Sequence, residues 1–170
     1  MKSGFIAIVG RPNVGKSTLM NKLIKEKVAI VSDKAGTTRD QIKGIINIGE
    51  NQYIFMDTPG IHKPKHLLGE HMTNVALDTL NNADLILFML DGTQGISTGD
   101  MFVNENAKNS NTPIVLIINK IDKMTDEDIA LKLEEVKEKL GEFAGIMTMT
   151  GEYGIGVHKI FEVSEKYLSN

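Results

Sequence analysis

Three short stretches of this sequence carry side chains whose types and order suit a purine nucleotide. Gly10-Arg11-Pro12-Asn13-Val14-Gly15-Lys16-Ser17 matches the pattern G-x-x-x-x-G-K-[ST] at every required position. It follows an apolar run and opens a helical pattern, the setting in which such a loop holds phosphate. The backbone N–H groups from Asn13 through Val14, Gly15, Lys16 and Ser17 to Thr18 can curl around a β-phosphate, reinforced by the helix dipole. Lys16 brings a point charge toward the β- and γ-phosphates, and the Ser17 hydroxyl can ligate Mg²⁺. Asp57-Thr58-Pro59-Gly60 ends another apolar run. An aspartate at a strand's C-terminal end, beside a phosphate loop, can hold the Mg²⁺ shell, and Gly60 can offer its N–H to a γ-phosphate. Asn119-Lys120-Ile121-Asp122 is the third stretch. A carboxylate at Asp122 can accept two hydrogen bonds from the N1–H and N2–H₂ edge of guanine. Adenine has no such edge and would leave the acid desolvated and unpaired. The aliphatic stem of Lys120 can cover a ring face.

The elements that must carry these loops alternate along the chain. Apolar runs of strand length lie at Phe5–Val9, Gln41–Ile48, Gln52–Met56, Leu85–Leu90, Ile114–Ile118 and Ile146–Thr150. In Gln41–Ile48 the alternation places Ile42, Ile46 and Ile48 on one face, and Gly49-Glu50-Asn51 turns the chain back into an antiparallel hairpin. Leu85–Leu90 and Ile114–Ile118 are near-continuous apolar runs, as strands buried on both faces require. Helical stripes fill the gaps at Ser17–Lys25, Leu68–Leu80, Met101–Ala107, Asp126–Leu140 and Val157–Leu168. Thr125 caps the fourth of these, and acids follow it at the positive end of the helix. The expected architecture is α/β: a mostly parallel six-stranded sheet with helices on both faces.

The 170 residues suit one domain, and 41% hydrophobic with 24% charged residues is the composition of a soluble globular chain. The sequence has no cysteine, which excludes cysteine-ligated metal and thiol catalysis. Nineteen Lys+Arg against 22 Asp+Glu give a net charge of −3, which does not suit a domain that grips nucleic acid by itself. The longest uncharged apolar run, Leu85–Leu90, stops at Asp91, far short of the roughly 20 residues of a membrane span. No signal peptide is read at the N-terminus, so the cytoplasm is the expected compartment.

In their order, GRPNVGKS, TTR, DTPG and NKID resemble the translation-factor-like branch of Ras-type GTPases, over nearly the whole chain. More closely, Asp57-Thr58-Pro59-Gly60-Ile61-His62-Lys63-Pro64-Lys65-His66 followed by Leu68-Gly69-Glu70 resembles the second switch of the Era family, bacterial GTPases of small-subunit ribosome assembly. The resemblance implies that residues 1–170 form one GTPase domain with a Ras-like P-loop fold, binding GTP and GDP with Mg²⁺ and hydrolysing GTP slowly. It assigns the first-switch magnesium threonine to Thr38, before Arg39, so that Ser17, Thr38 and Asp57 hold the metal and Lys16, Thr38 and Gly60 act in catalysis. The last nucleotide element, normally Ser-Ala, falls on Thr150-Gly151, a departure that keeps a hydroxyl and an N–H. Gly36 and Asp40 are closer to two sister families, MnmE and Der. Ras-like enzymes orient the attacking water with a glutamine where this chain has Ile61. In this group an asparagine at the position of Asn13 helps to hold a K⁺ ion in place of an arginine finger, with carbonyls around Gly36 and Thr37.

Era-family proteins carry a C-terminal KH domain that grips ribosomal RNA, and no Gly-x-x-Gly loop in a basic context is present here. The implied partner is therefore the small ribosomal subunit and its rRNA, reached through a KH domain not in this chain. The isolated domain is expected to be a monomer. Peripheral association with the inner face of the cell membrane is a further family trait, although nothing amphipathic and basic argues for it here. Competing functions are an ATP-using P-loop enzyme, against which Asn119-Lys120-x-Asp122 speaks, and a GTP-dependent binding module with negligible hydrolysis, which Ile61 favours. His62, His66 and His71 lie close together, but Pro64 interrupts the helix that a metal pair would need, and they read as a solvated switch segment.

Overall fold

The computed structural model of the chain describes residues 2–11, 14–26, 29–30, 42–58, 74–150 and 157–169. The elements run β1 (Lys2–Val9), α1 (Lys16–Glu26), β2 (Ala29–Ile30), β3 (Ile42–Ile48), β4 (Asn51–Asp57), α2 (Asn74–Asn82), β5 (Leu85–Asp91), α3 (Thr98–Asn109), β6 (Ile114–Asn119), α4 (Asp126–Lys139), β7 (Gly145–Met149) and α5 (Val157–Glu165), with a short 3₁₀ turn at Ile121–Lys123. They form one sheet in the order β2-β3-β4-β1-β5-β6-β7. The six expected strands are all present, and β2 adds a two-residue edge that pairs antiparallel with β3. The β3–β4 hairpin is antiparallel, and β4, β1, β5, β6 and β7 run parallel.

Apolar residues drive this arrangement from both faces. Every residue of β5 and β6 is buried, because each strand is covered above and below. On one face Leu19 and Leu23 of α1 and Ile160 and Phe161 of α5 pack on Ile6, Ile8, Phe55 and Leu87. Phe161 meets Tyr53 and Phe55 edge-on, with ring centroids 5.1 and 6.0 Å apart. On the other face Leu80 of α2, Val103 and Ala107 of α3, and Val136 and Leu140 of α4 cover Ala7, Val9, Ile86, Phe88 and Leu116.

One expectation about β3 is overturned. Ile42 does not share a face with Ile46 and Ile48. It joins Ala7, Met56 and Ile86 in the second core, whereas Ile46 packs in the first. The register shifts between Ile42 and Gly44. A bulge inserts one residue and so inverts the alternation beyond it. Helix α3 also begins earlier than Met101. Ser97 accepts the N–H of Asp100 while the Asp100 carboxylate accepts the N–H of Ser97, a capping box that starts the helix at Thr98. Thr125 and Asp128 do the same for α4. Of the expected helix at 68–80, the part before Asn74 lies outside the described residues.

The chain leaves β1 toward β4 on one side and returns through β5 on the other. The C-terminal end of β1 is thus where the strand order reverses, and a crevice for ligands opens there in such sheets.

Candidate functional site

At that crevice, β1 ends at Val9 and the phosphate-type loop begins with Gly10. Val14 is fully buried and wedges the loop onto the sheet. Gly15 sits at φ 109, a left-handed conformation that a larger residue rarely adopts, and a Cβ there would run into the Asn119 carboxamide. Lys16 is the first residue of α1, and the helix opens with Leu19 N–H donating to Gly15 C=O at 2.9 Å. The side chains of Ser17 and Thr18 are exposed on its first turn. Strand β4 brings its last residue, Asp57, into register with Ile8 of β1. The next residue, Thr58, is buried and donates its hydroxyl to Ile8 C=O at 3.1 Å.

The second loop comes from the neighbouring strands. Asn119 ends β6, is 2% exposed and donates its side-chain amide to Val14 C=O at 3.0 Å. This bond ties the two loops together over 105 positions of sequence. Lys120 follows at φ 67, the only non-glycine residue of positive φ among those described. Asp122 is exposed in the 3₁₀ turn. Thr150 is buried at the end of the adjacent strand, next to Met149, which pairs with Asn119. The structure therefore gathers Val14, Gly15, Lys16, Ser17, Thr18, Asp57, Asn119, Lys120, Asp122 and Thr150 along the C-terminal edge of the sheet. Asn13, Thr38, Gly60 and Gly151 lie outside the described residues, as do Arg39, Ile61 and the histidines at 62, 66 and 71.

Ser17 lies in α1, which follows β1, and Asp57 closes β4, which pairs with β1; a hydroxyl and a carboxylate are oxygen donors of the kind that Mg²⁺ takes, so these residue types fit such an ion. Among the described residues no group of three or more His, Cys, Asp or Glu is placed to hold a metal by itself.

Sequence reasoning missed the polar groups that brace the two loops from behind. Arg11 Nε lies 3.1 Å from the buried Asp100 carboxylate, and its guanidinium also donates to the Gln94 side chain. This fastens the phosphate-type loop to the N-terminus of α3. Lys120 Nζ lies 2.8 Å from Asp91, which Thr93 also bonds through both its N–H and its hydroxyl. The visible signals were an aspartate closing a wholly apolar run at Asp91 and the Ser97-x-x-Asp100 capping pattern.

Burial pushes the Asp91 carboxyl up, but the Lys120 ammonium and the Thr93 donors outweigh it and hold the group below the ordinary aspartate value of 3.8. A carboxylate depressed in the folded state stabilises it above the unfolded value, and that contribution is lost as pH falls through the folded one. Urea unfolding of wild type and Asp91→Asn should therefore differ by about 1–3 kcal/mol at neutral pH. The gap should narrow only below the ordinary value of 3.8. A gap that does not change with pH would mean that Asp91 is not an ionised partner of Lys120.

A family profile described as "50S ribosome-binding GTPase" matches residues 5–120. GTPase Era of Fusobacterium nucleatum subsp. nucleatum is 57% identical over 171 aligned residues, covering 100% of this chain and 58% of that protein. Among solved structures, Era in complex with MgGDPNP and nucleotides 1506–1542 of 16S ribosomal RNA superposes with a TM-score of 0.79 at 42% identity, over 100% of this chain and 58% of that one. An Aquifex aeolicus Era variant bound to GDP·AlF4⁻ gives a TM-score of 0.78 at 42% identity with the same coverage. The chain thus spans 58% of the length of these relatives. It belongs to the 50S ribosome-binding GTPase family, and within that family it is of the Era type.

Proposed function

We propose that residues 1–170 form a guanine-nucleotide switch that hydrolyses GTP slowly and acts in assembly of the small ribosomal subunit. The observation that carries this reading is the Asn119–Val14 bond, which sets a loop suited to guanine at a fixed place beside a loop suited to phosphates. Nucleotide would lie along the C-terminal edge of the sheet. Residues 13–18 would cradle its phosphates and Lys16 would neutralise the β- and γ-oxygens. Asn119, Lys120, Asp122, Thr150 and Gly151 would surround the base. Ser17, Asp57 and Thr38 would hold Mg²⁺, which supplies charge neutralisation on the outer phosphates when bound. Thr38 and Gly60 would respond to the γ-phosphate as switch residues. The solved Era relatives bind MgGDPNP and GDP·AlF4⁻, which supports GTP and GDP as the ligands.

The ribosomal role rests on the Era complex with 16S ribosomal RNA. With a net charge of −3 this chain suits RNA poorly, so the rRNA contact belongs to a KH-type segment of the longer proteins. The switch works in the cytoplasm, with peripheral membrane association as a family trait. No helix among the described residues is long and apolar enough to cross a membrane.

Two measurements test this reading. Asp122→Asn should exchange GTP for xanthosine triphosphate as the preferred ligand, because the carbonyl at xanthine's 2-position needs a donor. Loss of the guanine edge contacts should cost the variant roughly 10⁴ in GTP affinity. Unchanged GTP binding would remove Asp122 from base recognition. Ile61 cannot orient water, so the catalytic charge comes from elsewhere, and K⁺ held near Asn13, Gly36 and Thr37 is the source the family resemblance supplies. GTP turnover should be faster in K⁺ than in Na⁺, by less than the roughly 10³–10⁵ of an arginine finger. Asn13→Ala should erase the difference. Equal turnover in both salts would exclude the ion, and no turnover in either would favour a GTP-dependent binding module.

A further inference from the structure

Asp91 ends a strand whose residues are all buried, and nothing in the nucleotide chemistry proposed above uses it. Its carboxylate is 1% exposed and meets donors on both oxygens. Thr93 donates to Oδ1 from its N–H at 2.9 Å and from its hydroxyl at 2.6 Å, and Lys120 Nζ reaches Oδ2 at 2.8 Å. The Thr93 bonds fix the plane of the carboxylate and so fix where Oδ2 presents itself to the lysine. The close approach that allows this is built into the backbone. Gly92 N–H donates to Asn119 C=O at 2.9 Å, and a Cβ at Gly92 would meet Asn119 O and the Met124 side chain.

Lys120 is also held at its other end. It sits at φ 67 and ψ 32 between the buried Asn119 and the 3₁₀ turn, where its carbonyl accepts Lys123 N–H at 3.1 Å. A lysine at a partly exposed position would ordinarily send its ammonium to water and sample many rotamers. Here 34% of the side chain is exposed, yet the head turns inward onto a buried acid. A stem fixed at Cα and at Nζ presents its methylenes as a standing apolar strip before any ligand arrives.

We infer that Asp91 is a positioning residue for nucleotide: it pins Lys120 so that the aliphatic stem is preorganised against one face of the purine. The inference rests on the guanine-nucleotide reading of the Asn119–Asp122 loop. Immobilising one rotamer-rich side chain in advance is worth roughly 3–10-fold in affinity. The contact is with a ring face, so it does not sense the substituents that Asp122 reads at the ring edge. Asp91 should therefore set how long any purine nucleotide stays, and leave the choice among purines to Asp122.

The test is GDP and IDP dissociation, followed with fluorescent analogues in Mg²⁺, for wild type, Asp91→Asn, Lys120→Met and the double variant. Asp91→Asn should speed release of both nucleotides by roughly 3–10-fold and leave the GDP-to-IDP affinity ratio unchanged. In the Lys120→Met background, which keeps a stem but has no ammonium, Asp91→Asn should add nothing further. A merely structural Asp91 would weaken binding equally in both backgrounds, and that result would overturn the inference. So would an unchanged release rate in Asp91→Asn. If Asp91→Asn fails to fold, Thr93→Val, which removes the exposed hydroxyl that orients the carboxylate, carries the same test at smaller amplitude. Absence of GDP binding by wild type would instead refute the nucleotide reading, and the inference would fall with it.

Discussion

A nucleotide has a base at one end and phosphates at the other, so a protein that reads both must keep two loops at a fixed separation. In this chain that constraint is met by one buried hydrogen bond, from the Asn119 carboxamide to the Val14 carbonyl at 3.0 Å. Both partners are almost wholly removed from water, so breaking the bond would leave a buried donor or acceptor unsatisfied. Gly15 belongs to the same constraint. Its left-handed backbone turns the loop, and the missing Cβ leaves the space that the Asn119 carboxamide fills.

The rest of the fold makes that bond possible. Parallel pairing of β1, β5 and β6 delivers Val9, Asp91 and Asn119 to the same edge of the sheet. Helices on both faces keep those strands dry, and β5 and β6 each end in a polar residue, Asp91 and Asn119, whose partners are prescribed. Behind the two loops, the stretch from the end of β5 through the turn into α3 supplies Asp91 to Lys120 and Gln94 and Asp100 to Arg11. Buried ion pairs of this kind add little net stability against apolar replacements, but removing one partner leaves an uncompensated buried charge. In this turn they fix position, which is what a site for a rigid ligand requires.

Much of this was legible in the sequence because the chemistry is local. The spacing of Gly10, Gly15, Lys16 and Ser17 needs no knowledge of the fold, and neither does that of Asn119, Lys120 and Asp122. The doubly covered sheet was equally legible from the unbroken apolar runs that became β5 and β6. What was not legible joins residues far apart. The Lys120–Asp91 pair spans 29 positions and the Arg11–Asp100 pair 89, and no pattern in one strand announces a partner on another. The face of Ile42 was misread for a different reason. A bulge beside Gly44 shifts the alternation by one residue, and a strict period of two cannot express that.

The central claim is that this sheet edge holds a guanine nucleotide, read at the base by the loop that Asn119 fixes. Competitive titration calorimetry of the chain with GDP and ADP in Mg²⁺ tests it most directly. A carboxylate at Asp122 that pairs with the guanine donor edge should favour GDP over ADP by roughly 10⁴ or more. Comparable affinity for the two diphosphates would contradict the account.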